Sequence, residues 1–224
     1  MSFVVIDVAN NSHKHHADLI CQMMQDAAKV RGTGIAKRQP VYIQQKMDEG
    51  KAIIALDAER VVGFCYIESW DNEKYVANSG LIVHPDYRGL GLAKKIKSET
   101  FKLSLKKFPM AKLFGITTSM AIMKINSDLG YYPVTFSELT QDDKFWDGCK
   151  SCANYDILQR TNKTMCICTG MSCDLKSISL ATTEQFKIKS WNRFLRFTKS
   201  RINRIHGKKK KFPNLVKHLS NEEK

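Results

Sequence analysis

The sequence predicts an α/β (α+β) fold, with a mixed and mostly antiparallel central sheet flanked by helices. Three observations predict it: helical periodicity near the N-terminus, three β-like segments with short polar connections, and a glycine-rich turn that leads into a helix. The short connections favour hairpins, so the middle of the chain should form an antiparallel meander. A further strand, helix and strand are expected to complete the sheet.

The N-terminal quarter is predicted to contain one strand and two helices. A strand over 3–8 is followed by cap residues at 10–12 and by a helix over about 14–31, in which apolar side chains recur at helical spacing. The glycines of 32–34 end this helix, and a second helix is expected over about 40–49.

The remaining predicted elements follow from alternating apolar residues and from turn signals. Pro109 stops the long helix because it has no backbone N–H to donate. In chain order we expect strands over 52–56, 61–70 and 75–83, a helix over 91–108, a strand over 113–117, a helix over 120–129 and a strand over 134–136.

The composition narrows the class of protein. A chain of 224 residues with 43% hydrophobic content is typical of a globular protein with one sizeable core. No apolar run approaches the roughly 18 residues of a membrane span, and residues 1–7 lack the basic start of a secretory signal. We therefore expect a cytoplasmic protein, in which the seven cysteines are reduced.

Positive charge is concentrated at the C-terminal end. Residues 176–224 contain 14 Lys and Arg against three acids, in a chain whose net charge is +14. We therefore divide the chain into a core over 1–140, a Cys-rich segment over 141–175 that completes or flanks it, and a basic helical extension over 176–224. Such an extension can dock on the core, or bind a membrane surface, nucleic acid or a protein partner.

A glycine-rich turn precedes the helix predicted over 91–108. The first N–H groups of a helix have no intrahelical partner and carry partial positive charge, so they bind anions. Gly89 and Gly91 permit the turn angles and a close approach of the backbone. The turn lacks the Gly-Lys-Ser/Thr of a Walker A loop and the spacing of a dinucleotide fingerprint. We expect a phosphate site formed by Arg88, Gly89, Leu90, Gly91, Leu92 and Ala93.

The pattern Arg-x-x-Gly-x-Ala, formed by Arg88, Gly91 and Ala93, resembles the acyl-coenzyme A pyrophosphate loop of the GNAT family of N-acetyltransferases. The preceding segment 83–87 resembles that family's usual strand exit, and the order of predicted elements agrees. The resemblance covers about residues 1–140. It implies the GNAT fold and acetyl-CoA as co-substrate.

The same resemblance implies how the coenzyme is held. The fourth and fifth strands of this family splay apart, and the pantetheine arm pairs with the backbone of the fourth strand. A backbone N–H near the end of that strand then stabilises the oxyanion. The corresponding residues in this chain are Leu81, Ile82 and Val83.

Acetyl transfer to an amine requires a base for the ammonium and an acid for the leaving thiolate. Glu68, on the third predicted strand, is the best candidate for the base. Asp71 and Glu73 in the following turn are rivals, and so is His84 after the fourth strand.

The family often places a tyrosine as the acid, and the resemblance aligns that position with Asn126. An asparagine amide cannot donate a proton in this way. Three alternatives follow: the thiolate leaves unaided or through water, Tyr131 or Tyr132 substitutes, or the enzyme is impaired.

Substrate contacts are expected from the loop between the first two helices. Arg31, Thr33 and Arg38 lie in or beside this glycine-containing loop, where cations can bind a substrate carboxylate or simply be solvated. The stretch 145–152 resembles short N-acetylglutamate synthase-like members, which implies an amino-acid amine as acceptor. Their Glu and Arg in the fourth strand correspond to Ala77 and Ser79, which argues against glutamate itself.

Four cysteines in the segment 141–175 allow two interpretations. Their spacing is compatible with a zinc site, and reduced structural thiols are the alternative. The candidate ligands are Cys149, Cys152, Cys166 and Cys168.

The leading interpretation is an acetyl-CoA-dependent N-acetyltransferase that acts on a primary amine of a small metabolite. An amino acid or a derivative is the favoured acceptor, attacked directly in a ternary complex, and a homodimer is one arrangement left open. The alternative is a coenzyme A-binding but catalytically weak module. Its basic extension would then bind a membrane surface, nucleic acid or a protein partner.

Overall fold

The computed structural model describes residues 4–31 and 37–179. Three short 3-10 turns lie over Asn11–His16, Pro85–Tyr87 and Phe136–Glu138. The strands and helices are β1 (Val4–Val8), α1 (Ala17–Arg31), α2 (Pro40–Asp48), β2 (Ala52–Asp57), β3 (Arg60–Trp70), β4 (Tyr75–Val83), α3 (Leu92–Lys107), β5 (Lys112–Thr117), α4 (Met120–Asp128), β6 (Tyr132–Val134), α5 (Asp143–Asp147), α6 (Tyr155–Arg160), β7 (Thr169–Asp174) and α7 (Leu175–Ser179).

The strands form one seven-stranded sheet in the order β1-β2-β3-β4-β5-β7-β6. All neighbouring pairs are antiparallel except β4 and β5, which are parallel. The predicted fold class, a mixed and mostly antiparallel sheet flanked by helices, is therefore confirmed. Parallel pairing needs a long crossover connection, and α3 supplies it.

Helices cover both faces of the meander because its strands carry apolar side chains on both faces. Ile54 and Phe64 belong to the cluster that packs against α1 and α2. Ile53 and Val62 belong to the cluster that packs against α3. Successive side chains of a strand point to opposite faces, so β2 and β3 are buried on both sides.

The sequence predicts the last strand over 134–136, whereas β6 lies over Tyr132–Val134. The chain turns at Thr135 because its side chain and that of Glu138 form a reciprocal capping box at the start of the turn over Phe136–Glu138. Pro133 is tolerated in β6 because this strand lies at the edge of the sheet.

The segment 141–175 contributes α5, α6 and β7, and β7 lies inside the sheet between β5 and β6. Trp146 of α5 is 2% exposed and donates from Nε1 to the Thr140 carbonyl at 3.0 Å. Its ring packs against Phe136 and Phe145. These contacts bring α5 against the end of β5 and build one wall of the cleft described below.

Of the basic extension predicted over 176–224, residues 176–179 belong to α7 and residues 180–224 lie outside the described residues, so its predicted helix stays a prediction. Among the helices of the described ranges, none is long and apolar enough to cross a membrane.

Candidate active site

The strands β4 and β5 pair only at their beginning. Tyr75, Val76 and Ala77 pair with Lys112, Leu113 and Phe114, and the described strands make no further pair. β5 continues beside β7 as far as Thr117. Beyond Ala77, β4 therefore presents an edge that β5 does not cover.

An irregularity in the β3–β4 ladder lies beside this opening. Phe64 pairs with Ile82 and Tyr66 pairs with Ser79, so Gly80 and Leu81 both face Cys65 as a bulge. Gly80 has φ of 64°, and a Cβ there would lie 2.3 Å from the Tyr66 ring. Both the positive φ and the lack of room for a Cβ therefore require glycine at position 80.

The opening leads into a cleft of about 1050 Å³. β3 and β4 form one side, the end of β5 and the start of α4 form the other, and the segment 142–168 closes the wall. Leu81 lines the cleft, whereas its neighbours Ile82 and Val83 are buried in the sheet. The cleft is large enough to hold part of a coenzyme together with a small acceptor.

The glycine-rich turn enters α3 at Gly91. Gly89 and Gly91 have φ of 76° and 77°, a region that costs other residues about 1–2 kcal/mol. No described atom lies within 4 Å of where a Cβ would sit on either glycine. Gly91 caps α3 without a side-chain hydrogen bond, so the first N–H groups of α3 are available to a bound anion.

The turn is anchored at both ends. Arg88 donates from Nε to the Val83 carbonyl at 3.1 Å, and the Tyr87 hydroxyl donates to Asp57. Leu92 and Ala93 pack against the core, whereas Leu90 is 72% exposed. The predicted phosphate-binding role of residues 88–93 thus has a rigid frame and stays a prediction.

Glu68 lines the cleft on the side of α2. Its Oε1 lies 3.0 Å from Lys46 Nζ, and its side chain is 17% exposed. Burial raises the pKa of the Glu68 carboxyl to about 7. The Ser69 backbone N–H and the Arg38 guanidinium oppose this rise because they favour the ionised carboxylate. An ammonium as close as that of Lys46 acts in the same direction, and burial in turn lowers the pKa of Lys46.

The rival bases have other surroundings. Asp71 and Glu73 line the exposed mouth of the cleft, and Asp71 accepts a hydrogen bond from Thr140 at 2.6 Å. His84 lies outside the cleft lining, where Nε2 is 2.8 Å from Arg60. Of the four candidates, Glu68 combines burial with a position inside the cleft.

Arg38 is the predicted substrate residue that reaches the cleft. It donates from Nε to the Tyr66 hydroxyl at 2.9 Å, and its guanidinium lies 4.9 Å from the centre of the Tyr42 ring. The Arg31 side chain and Thr33 lie outside the described residues.

Asn126 also lines the cleft and is 2% exposed. Tyr131 is fully buried and donates its hydroxyl to Asn78 Oδ1 at 3.2 Å. Burial raises the pKa of Tyr131 well above its usual range, which makes it a weaker acid. Neither Tyr131 nor Tyr132 is among the residues that line the cleft.

Lys97 and Asn78 are cleft residues that the sequence did not identify. Both are buried and line the cleft near the point where β4 and β5 part. A signal was present in α3, where Ala93, Lys97 and Phe101 recur every four residues and therefore share one face. A lysine within an otherwise apolar stripe of a helix indicates a buried charge.

The four candidate zinc ligands line the wall of the cleft. No disulfide joins any of the seven cysteines, all of which lie in the described ranges. Burial raises the pKa of Cys149 to about 11 and that of Cys168 to about 12, and the neighbouring thiols add to both shifts. No group of three or more His, Cys, Asp or Glu in the described ranges is arranged to hold a metal ion. Zinc therefore has no support in this structure.

The sequence matches a known family over part of its length. The model of the acetyltransferase (GNAT) family matches residues 21–106, which run from α1 to the end of α3. A comparison with curated protein sequences gave no match.

Several solved structures share the fold. N-acetylglutamate synthase from Neisseria gonorrhoeae, complexed with coenzyme A and N-acetyl-glutamate, has a TM-score of 0.56 at 14% identity over 78% of this chain and 36% of that chain. The Salmonella typhimurium protein yncA with acetyl-CoA has a TM-score of 0.53 at 15% identity, over 78% of this chain and 95% of that one. A phosphinothricin acetyltransferase from Sinorhizobium meliloti with acetyl-CoA has a TM-score of 0.52 at 13% identity, over 78% and 89%.

The fold and the family match together define the class of protein, an acyltransferase built on a mixed sheet with splayed central strands. Over residues 21–106 the chain matches the GNAT family of acetyltransferases, and it shares the fold of the structures named above. The resemblance drawn from Arg88, Gly91 and Ala93 is therefore confirmed at the level of the family.

The raised pKa of Glu68 makes stability depend on pH. Between the ordinary value of about 4.3 and about 7, the folded state binds one more proton than the unfolded state. Wild-type stability therefore falls as pH rises through this window. Because a glutamine side chain cannot titrate, Glu68→Gln should become more stable relative to wild type by up to about 3 kcal/mol between pH 4.5 and pH 8.

Urea unfolding of both proteins across this pH range measures the difference. In a Lys46→Met background the relative gain should be larger, because the ammonium that favours the carboxylate is gone. A relative loss of stability with rising pH would show that Lys46, and not burial, controls the pKa of Glu68.

Proposed function

We propose that this protein transfers an acetyl group from acetyl-CoA to a primary amine of a small metabolite, by direct attack in a ternary complex. The observation that carries the proposal is the uncovered edge of β4, which leads from the N-terminus of α3 into the cleft. A long ligand with a phosphate at one end and a reactive group at the other fits this path.

The coenzyme would be held by backbone groups. The N–H groups at the start of α3 and the open turn at Gly89 and Gly91 suit the pyrophosphate. The pantetheine arm carries amides, so it can hydrogen-bond to the β4 edge as an added strand does. In this arrangement the irregular backbone of the bulge at Gly80 and Leu81 would lie beside the thioester, where an N–H can stabilise the oxyanion.

The acceptor amine would approach from the side of α2 and the 142–168 wall. Glu68 has a pKa near 7, which suits a group that accepts a proton from an ammonium at neutral pH. Arg38 lies on the same side and is a cation that a substrate carboxylate can bind. An amino acid or a derivative carries both the amine and the carboxylate.

Similarity to the Neisseria gonorrhoeae synthase, which was solved with N-acetyl-glutamate, supports an amino-acid acceptor in general terms. Ala77 stands where related short enzymes tend to show a glutamate, and it is buried in the sheet at 3% exposure. Glutamate itself is therefore not the acceptor that we propose.

Gly91→Val should abolish acetyl-CoA binding while the protein stays folded. The new side chain would occupy the open space above the turn and would strain the start of α3 at φ of 77°. We expect the dissociation constant to rise at least about 100-fold, measured by calorimetry with coenzyme A.

Gly50→Val is the matched control, because Gly50 also has a positive φ, of 58°, but lies outside the turn and the cleft lining. It should lose similar stability and keep its affinity for coenzyme A. Unchanged affinity in Gly91→Val would refute the phosphate site.

Glu68→Gln should lower kcat about 10²- to 10⁴-fold, because the amide cannot accept the proton of the acceptor. In the wild type kcat/KM should rise with pH up to about 7, where Glu68 becomes ionised. Rates measured by thiol release with pooled amino acids check both points.

Glu73→Gln serves as control at the cleft mouth and should keep the wild-type profile. If Glu68→Gln keeps the wild-type rate and pH profile, Glu68 is not the base.

A further inference from the structure

Lys97 is a buried cation on the coenzyme side of the cleft. It is 3% exposed, whereas Lys94 and Lys95 on the same helix point to solvent. No carboxylate of the described residues lies within 4.0 Å of its Nζ. An ammonium that is buried without a counter-ion costs stability, so its presence in a cleft indicates a function.

Its amino group lies at the apex of the opening between β4 and β5. Nζ donates to the Asn78 carbonyl at 3.3 Å, and Asn78 is the first residue of β4 beyond the last pair with β5. The same Nζ lies 5.4 Å from the centre of the Tyr131 ring. The ammonium is therefore held where a ligand that follows the β4 edge would pass.

The side chains around Lys97 form a buried polar network that fixes its position. Asn78 Nδ2 donates to Ser104 Oγ at 2.7 Å, and Ser104 Oγ donates to the Thr100 carbonyl at 2.8 Å. The Tyr131 hydroxyl donates to Asn78 Oδ1. Both polar groups of the Asn78 side-chain amide have partners, so Asn78 is fixed in position. Its backbone carbonyl, and the Lys97 ammonium that donates to it, are therefore held in one place.

The titratable neighbours of Lys97 are the Cys65 thiol on β3 and the Tyr131 phenol after α4. Burial lowers the pKa of Lys97 and raises the pKa of both Cys65 and Tyr131. The same dry surroundings thus make the ammonium a stronger acid and the other two groups weaker acids.

Asn126 supplies a second, independent observation. Its Oδ1 is buried and has no hydrogen-bond partner among the described residues, and its Nδ2 is 3.7 Å from Met171 Sδ. A buried acceptor without a partner is rare in native proteins. In a cleft that Lys97 also lines, it indicates a ligand with a polar hydrogen of its own, such as a thiol.

Building on the acetyl transfer proposed above, we propose that Lys97 donates the proton that the sulfur of coenzyme A takes up when the thioester bond breaks. Glu68 takes one proton from the acceptor ammonium, and the resulting amine forms the new C–N bond and releases its second proton to solvent. The C–S electron pair passes to sulfur. A proton moves from Nζ to that sulfur, which leaves a neutral amine and a free thiol. The thiol S–H can then donate to Asn126 Oδ1, and Lys97 regains a proton from solvent after the coenzyme leaves.

The test replaces Lys97 with methionine, which keeps the length of the side chain and removes the charge. Turnover of Lys97→Met should fall about 10²- to 10⁴-fold, and the wild-type decline of kcat that accompanies loss of the Lys97 proton with rising pH should vanish. The folded protein should become more resistant to urea, because a buried charge is removed. Lys106→Met, on the exposed face of the same helix, should behave as wild type.

A spectroscopic measurement separates this role from a structural one. Coenzyme A bound to the wild type should form its thiolate about one to three pH units lower than coenzyme A bound to Lys97→Met, as ultraviolet absorbance of the thiolate shows. Desulfo-coenzyme A, which lacks the sulfur, should bind equally to both. Lys97→Gln keeps a hydrogen-bond donor but no transferable proton, and it should show the same loss of turnover.

The possible failures are distinguishable. If the wild type binds neither coenzyme A nor the desulfo analogue, the proposed function fails. If the wild type and Lys97→Met bind the analogue equally and do not differ in thiol titration or turnover, the proposed role of Lys97 is refuted. The proposed acetyl transfer is not affected by that result. Wild-type turnover in Lys97→Gln would also overturn the role of Lys97.

Discussion

The parting of β4 and β5 after Ala77 and Phe114 is the constraint on which the rest of the site depends. β5 instead pairs with β7 through its other edge, along the whole strand. An uncovered strand edge inside a protein needs hydrogen-bonding partners. A ligand with amide groups, as proposed above, would supply them, and the turn into α3 follows the end of β4.

Burial around this opening shifts the pKa values of two groups of opposite charge, in each case in favour of the uncharged form. The pKa of Glu68 is raised to about 7 and that of Lys97 is lowered, each because its charged form is removed from water. Amine acetylation requires a proton acceptor and a proton donor. The unpartnered oxygen of Asn126 fits the same account, since functional sites keep polar groups that a stable core would satisfy.

Local patterns in the sequence were sufficient to predict most of the strands and helices and the turn at Gly89 and Gly91. They were insufficient for the place of β7 between β5 and β6, because a strand of small and polar residues, Thr169–Asp174, carries little periodicity and its pairing is non-local. Lys97 was missed because lysines on a helix are normally solvated. Glu68 was chosen by position alone, and its burial beside Lys46 depends on the packing of α2 against β3.

A crystal structure with acetyl-CoA tests the central claim most directly. The account predicts pyrophosphate oxygens about 3 Å from backbone nitrogens at the start of α3, the pantetheine arm along β4 beyond Ala77, and the thioester sulfur within hydrogen-bond reach of Lys97 Nζ. A coenzyme bound elsewhere, or β4 and β5 paired along their full length in the complex, would contradict it.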